Sequence, residues 1–261
     1  MTTKLVGILN LTPDSFSDGG KYNSNLSALE HAQKLINEGA DIIDIGAEST
    51  RPNANLITEI EEWNRLKNII PNLIELAHSQ NKQISLDTRN SSTAKKALDL
   101  GVDIINDVSG LNDPNMGNII HSYNKPIIIN HNLGLPASPD ITIDEKQNAI
   151  EEIKKWGTEK IKQLKSEYNI NKEKIIFDVG IGFGKTPQQS LYILENIQEF
   201  KTLGTEIYVG HSRKSFLKLF SQKNTEEKDI LTANFSAKIA NHVNYIRIHN
   251  VSLTKKALSQ G

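Results

Sequence analysis

The chain has 261 residues, of which 37% are hydrophobic and 23% charged, with 16 Gly and 8 Pro: globular composition with enough apolar material for a large core, and no sign of intrinsic disorder. Thirty Lys and Arg against 31 Asp and Glu leave a net charge of −1, which excludes broad electrostatic attraction to nucleic acid or an acidic membrane, so any anion site must be local. There is no cysteine, which excludes disulfides, Cys-ligated metal centres and thiol nucleophiles; with no signal-peptide core and no run of membrane-spanning length, a cytoplasmic protein is expected.

The first β-type run is Leu5–Leu9. It leads into Asn10 to Gly20, a long polar stretch whose one aromatic residue is Phe16, the composition of a lid. Ser27-Ala28-Leu29-Glu30 fits a capping box and predicts a helix start, with Gly39 as its stop. A second run, Ile42–Ile45, opens into Glu48-Ser49-Thr50-Arg51-Pro52, which puts a hydroxyl and a phosphate-binding guanidinium at a loop tip. Thr58-Glu59-Ile60-Glu61 is a second capping box. Runs three to five are Gln83–Leu86, Val102–Ile105 and Pro126–Ile129, with Gly101 ending a helix between the first two and an exposed outer helix expected over Glu145–Lys165.

The sixth run, Ile175–Phe177, ends at Asp178 and continues as Gly180-Ile181-Gly182-Phe183-Gly184-Lys185-Thr186. The spacing fits neither phosphate-loop nor dinucleotide fingerprint, because position 179 is Val and position 185 is Lys; what remains is a Gly-rich turn that lets backbone approach a ligand. The seventh run, Glu206–Val209, precedes His211-Ser212-Arg213-Lys214-Ser215, two adjacent cations at a common location for anion sites in such a fold, although an Arg-Lys pair by itself more often starts a solvated helix. In the eighth, Tyr245–Ile248, Arg247 and His249 share one side of the strand, and a charge inside an apolar run is costly unless it meets an anion. A short helix is expected after Val251.

Eight strand-then-helix units, about 33 residues each, match a βα repeat, and unalternating runs such as Ile127-Ile128-Ile129 suit strands buried on both faces of a parallel sheet. Every run closes on polar residues: Asn10, Asp44 and Glu48, Asp87, Asn106 and Asp107, Asn130 and His131, Asp178, His211 and Ser212, His249. The expected fold is therefore a single-domain (β/α)8 TIM-type barrel over 1–261, its strand ends converging on one mouth; a doubly wound sheet is the alternative.

Seven ordered motifs carry a resemblance over nearly the whole chain: Asn10 to Gly20, Glu48 to Pro52, Leu86-Asp87-Thr88, Ile105-Asn106-Asp107, Asp178 to Thr186, Ser212 to Ser215, and Arg247-Ile248-His249. In these the sequence resembles the dihydropteroate synthase family. The resemblance implies a transferase of folate biosynthesis, a sulfonamide target, often dimeric. Such an enzyme joins 6-hydroxymethyl-7,8-dihydropterin diphosphate to 4-aminobenzoate with Mg²⁺ and releases pyrophosphate. It implies Asp87, Asn106, Asp178 and Lys214 around the pterin, and Arg247, His249 and Asn10 on the diphosphate, with Asn10 also near the metal. Arg213 joins Lys214 in the clamp; Phe16, Pro52, Phe183 and Ser215 would line the aminobenzoate pocket, and Thr50 and Arg51 the second loop. Against the family pattern, Asn130-His131-Asn132 stands where Met-His-Met is usual, Val179 where Pro is, Asn250 where Asp is, and Thr232-Ala233 where Gly-Ser is. Two other readings are a silent pterin-binding paralogue and a pterin-dependent methyltransferase.

Overall fold

The computed structural model describes residues 3–11, 21–49, 54–138, 140–221 and 224–260. Strands β1 (Lys4–Asn10), β2 (Ile42–Gly46), β3 (Gln83–Asp87), β4 (Ile104–Asp107), β5 (Ile127–Asn130), β6 (Ile175–Asp178), β7 (Glu206–Val209) and β8 (Tyr245–Ile248) pair in parallel in chain order, and β8 returns to β1 to close a barrel. Helices α1 (Lys21–Glu38), α2 (Glu59–Leu66), α3 (Ile70–His78), α4 (Ser91–Leu100), α5 (Met116–Tyr123), α6 (Ala149–Tyr168), α7 (Pro187–Glu195), α8 (Thr225–Ile239) and α9 (Val251–Leu258) lie between and after the strands. This is the (β/α)8 arrangement expected from the eight repeats.

The unalternating runs resolve into two cores. Outward side chains such as Leu5, Leu9, Ile43, Ile45, Leu86, Ile105 and Ile129 pack with the helices in the larger cluster. Val6, Ile42, Ile104, Ile128, Ile176, Tyr208 and Tyr245 form a second, separate cluster inside the barrel. Because side chains alternate along a strand, the inward positions nearer the C-terminal end of each strand are fixed as well. They are polar: Asn10, Asp44, Asp87, Asn106, Asn130, Asp178 and Arg247. The barrel interior is therefore apolar at its floor and polar toward the C-terminal ends of the strands. Pairings of Gly46 with Asp87, Asp87 with Asn106 and Asn130 with Asp178 hold these residues in neighbouring register.

Strand positions match the sequence expectation closely, with β4 starting at Ile104 instead of Val102. Val102 N–H closes the end of α4 on the Ala97 carbonyl after Gly101 takes a left-handed conformation, so the strand begins later. Thr58 caps α2 as expected, its hydroxyl accepting from Glu61 N–H. The Ser27 capping box is a correction: α1 begins at Lys21, so Ser27 lies inside the helix. No Gly or Pro stands between the two positions to stop the helix from extending, and the motif alone could not set the boundary. The outer helix runs four residues further along than Glu145 at its start, from an Asn148 cap whose Oδ1 accepts from Ile150 N–H at 2.9 Å.

Candidate active site

Arg247 anchors the polar end of the barrel. Its Nε lies 2.6 Å from Asp44 Oδ2 and its Nη2 3.0 Å from Asp87 Oδ2, so one guanidinium from β8 ties β2 to β3 across the interior. Asp44 is wholly buried and also accepts from the Ser85 hydroxyl and from Asn106 Nδ2 at 3.3 Å. Two carboxylates and one guanidinium would leave an excess negative charge in a dry interior. Burial relieves it by pushing the Asp87 carboxyl up to about 7, against the lowering by Arg247 and together with the repulsion from Asp44. Asp178, across the mouth on β6, is likewise pushed up to about 6 by burial, opposed by the Gly180 N–H and by Lys214, Lys185 and Arg247.

The Gly-rich turn between β6 and α7 leans over this ring. Gly180 has φ +69°, and its N–H donates to Asp178 Oδ1 at 2.8 Å. A Cβ at Gly180 would lie 1.9 Å from the His131 carbonyl oxygen, so only glycine permits the turn to rest on the end of β5. Phe183 at its tip meets Lys214, whose Nζ stands 4.0 Å from the ring centroid. Lys214 belongs to the loop after β7, where the Ser212 hydroxyl and His249 Nδ1 are 2.9 Å apart. Ser215, itself exposed, starts a short 3-10 segment, Ser215–Leu219, beside them, anchored by the buried Phe216 and Leu217.

Asn10, Asp87, Asn106, Asp178 and Arg247 thus face inward on the strands, while Lys214, Phe183, Ser215 and His249 lie on loops of the same end. The pair of cations at 213 and 214 divides. Arg213 turns to α8 and binds Asp229 with Nε and Nη2 at 2.7 and 2.8 Å, while Lys214 faces the Phe183 ring. Asn250 also reaches Asp229, at 3.4 Å, and caps α9 through Leu253 N–H, so Asp229 supplies a carboxylate beside the position where the family usually has Asp. Phe16, Thr50, Arg51 and Pro52 lie outside the described residues. The base of the second loop is held by Glu48, which accepts from Ile57 N–H and from Arg89.

Sequence reasoning noted Asp44 at a strand end without giving it a role. The signal was present: it is a carboxylate in the middle of an apolar run, the same anomaly that singled out Arg247, and the two are each other's partners. Lys185, to which the sequence assigns no role once the phosphate-loop spacing fails, is buried against His131, with Nζ 2.8 Å from Nδ1. Asn130, where the family has an apolar residue, donates to the Val108 carbonyl at 3.2 Å, and its buried Oδ1 has no hydrogen-bond partner among the described residues.

Comparison with known proteins points one way. The family model described as pterin binding enzyme matches residues 6–249. The crystal structure of dihydropteroate synthase from Anaplasma phagocytophilum with bound 6-hydroxymethylpterin-monophosphate superposes with a TM-score of 0.91 at 42% identity, covering 100% of this chain and 98% of that one. The Xanthomonas albilineans dihydropteroate synthase with 4-aminobenzoic acid gives 0.89 at 29% identity, covering 99% and 92%. Among curated sequences, the folate synthesis bifunctional protein of Chlamydia caviae is 36% identical over 262 residues; the match takes in 98% of this chain but spans only 58% of that protein's length.

Proposed function

The chain belongs to the pterin-binding enzyme family, as one of its dihydropteroate synthases, and from that premise we propose that it condenses 6-hydroxymethyl-7,8-dihydropterin diphosphate with 4-aminobenzoate. The C–O bond to the diphosphate breaks, a C–N bond forms between the pterin methylene and the arylamine, the amine loses a proton, and pyrophosphate leaves. The observation that carries the reading is the inward polar row that ends in a guanidinium fixed by two carboxylates, Arg247 with Asp44 and Asp87.

Asp87, Asn106 and Asp178 bind the donor and acceptor edge of the pterin, a flat heterocycle that needs fixed polar partners in a buried site. Lys214 closes its side. Arg247 and His249 take the diphosphate. A guanidinium carries five N–H donors, more than its two carboxylate contacts use, and Ser212 holds the His249 ring by its Nδ1. A preorganised donor aimed at the leaving group is worth about 3 kcal/mol in the transition state, and a neutral arylamine asks for no strong base. Phe16, Pro52, Phe183 and Ser215 form the aminobenzoate pocket; Thr50 and Arg51 close the second loop. Arg213 acts through Asp229, shaping the loop that carries Lys214.

Mg²⁺ takes oxygen ligands and shares substrate phosphates, so it needs few protein donors. The Asn10 carboxamide at the end of β1 offers a suitable oxygen, and among the described residues there is no cluster of three or more His, Asp or Glu that would favour another metal. The ion neutralises diphosphate charge when bound. We further take 1–261 as one barrel domain of a cytoplasmic enzyme; among the described residues no helix is long and apolar enough to cross a membrane. A homodimer is supported by Leu219, Phe220 and Ile230, large apolar residues exposed on and beside α8.

The test is a two-substrate assay. Pyrophosphate release and 7,8-dihydropteroate are expected only when the pterin diphosphate, 4-aminobenzoate and Mg²⁺ are all present. Pterin binding without product would overturn the reading in favour of a silent paralogue.

A further inference from the structure

Lys185 ends the Gly-rich turn, and it is 5% exposed. Its Nζ meets three acceptors: His131 Nδ1 at 2.8 Å, the His131 carbonyl at 3.4 Å and the Phe183 carbonyl at 2.9 Å. An ammonium has three N–H donors, so the tripod is filled when His131 keeps its own proton on Nε2. Burial and the neighbouring Lys185 hold His131 near 2, neutral and able to accept. A lysine so deep is costly, since burial lowers its own value to about 7 in spite of the attraction of Asp178. Taking an ammonium out of water onto neutral acceptors is costly, so stability alone gives little reason for a lysine here.

The three acceptors belong to two elements. His131 is the residue after β5, and Phe183 is the tip of the turn after β6. One side chain therefore stitches the turn to the neighbouring strand end at the point where Gly180 rests on the His131 carbonyl. The turn in turn forms the shelf for Lys214, through the Phe183 ring and through Gly182, whose Cβ position would lie 3.2 Å from Lys214 Cδ.

We propose that Lys185 is a positioning residue: its ammonium, held by His131 and the Phe183 carbonyl, fixes the Gly180–Gly184 turn and so sets where Phe183 and Lys214 stand at the mouth. Only the substrates used to read its effect rest on the function proposed above.

The absence of native cysteine makes a chemical rescue possible. Lys185→Met removes the charge at similar length. Lys185→Cys introduces one thiol, which is alkylated in denaturant and refolded either with an aminoethyl group, restoring an ammonium, or with a propyl group, its uncharged counterpart. Hydrogen exchange at the amides of residues 180–184 is expected to rise about tenfold or more in Lys185→Met and in the propyl form. The KM for 4-aminobenzoate should rise about tenfold with kcat changed less than about threefold. The aminoethyl form should return both toward the starting protein. Unchanged exchange, or equal exchange in the aminoethyl and propyl forms, overturns the inference, as does faster exchange with an unaltered KM in an enzyme that makes dihydropteroate. If the unsubstituted protein makes no dihydropteroate, the functional reading fails, while exchange and rescue still decide the role of Lys185. Should Lys185→Met fail to fold, His131→Phe removes the Nδ1 contact from the other side, leaving the two carbonyls, and must raise exchange at the same amides.

Discussion

At the scale of single residues, the mouth is built from groups kept in expensive states. Asp178 shows the sign of the effect. Its carboxyl ordinarily titrates near 3.8 and is pushed up to about 6 in the fold, mainly by burial. The folded chain therefore holds this proton more tightly than the unfolded one. Its contribution to stability is fully present below about pH 4, declines as pH rises through about 6, and is then constant at a loss of about 3 kcal/mol. Asp178→Asn keeps an acceptor for the Gly180 N–H without the charge. It is expected to raise the urea midpoint at pH 8, to leave it unchanged near pH 3.5, and to abolish turnover; equal midpoints at pH 8 would show that the carboxylate carries no such burden. The sequence made the polar identity of these residues legible. It could not show which charges neutralise one another: Arg213 and Lys214 are adjacent in the chain, yet Asp229, 16 positions on from Arg213, takes the first and an aromatic ring receives the second.

At the scale of elements, strands were the easiest to read because their apolar runs are short and bounded by polar residues. The helices were less so. A capping box is a local signal, and the Ser27 box stands within α1 because nothing upstream halts the helix. The turn after β6 illustrates the opposite case, where local sequence is decisive. Gly180 combines φ +69° with a Cβ position 1.9 Å from the His131 carbonyl. Gly180→Ala must therefore displace either the turn or the end of β5, at a cost of roughly 1–3 kcal/mol for the backbone conformation alone. The expected outcome is a lower thermal midpoint and an aminobenzoate KM raised at least as far as in Lys185→Met. Wild-type values for both would mean that the turn can settle elsewhere without loss. That Lys185 points down to His131 was not legible, since a Gly-Lys-Thr sequence suggests a ligand-facing lysine and only the contact with β5 reverses it.

For the whole molecule, the tie of Asp44, Arg247 and Asp87 joins the second, third and eighth strands and is closed only when the barrel is. Its partners are 203 and 160 positions apart in the chain, so no local pattern could pair them. Removing the cation leaves Asp44 buried and uncompensated, a change that costs about 3–5 kcal/mol when one member of a buried pair is lost. Arg247→Ala should show that loss in urea unfolding. Adding Asp44→Asn should return a large part of it without restoring turnover. Additive losses in the double variant would mean that the two groups stabilise the barrel independently. The net charge of −1 is a sum over the whole chain and conceals a local concentration of Asp44, Asp87 and Arg247 inside the barrel.

The pairing of β1 with β8 has a consequence in time. Lys4 stands opposite Tyr245, 241 positions later, so the first strand made is completed by the last. At synthesis rates of about 5–20 residues per second, β1 waits roughly 10 to 50 seconds with one edge bare. Throughout that interval Asp44 also lacks its cation, which arrives on β8. The nascent chain must carry an open, charged interior until β8 emerges, and any factor that shields growing chains would find its target in that early edge, long before there is a mouth to bind substrate.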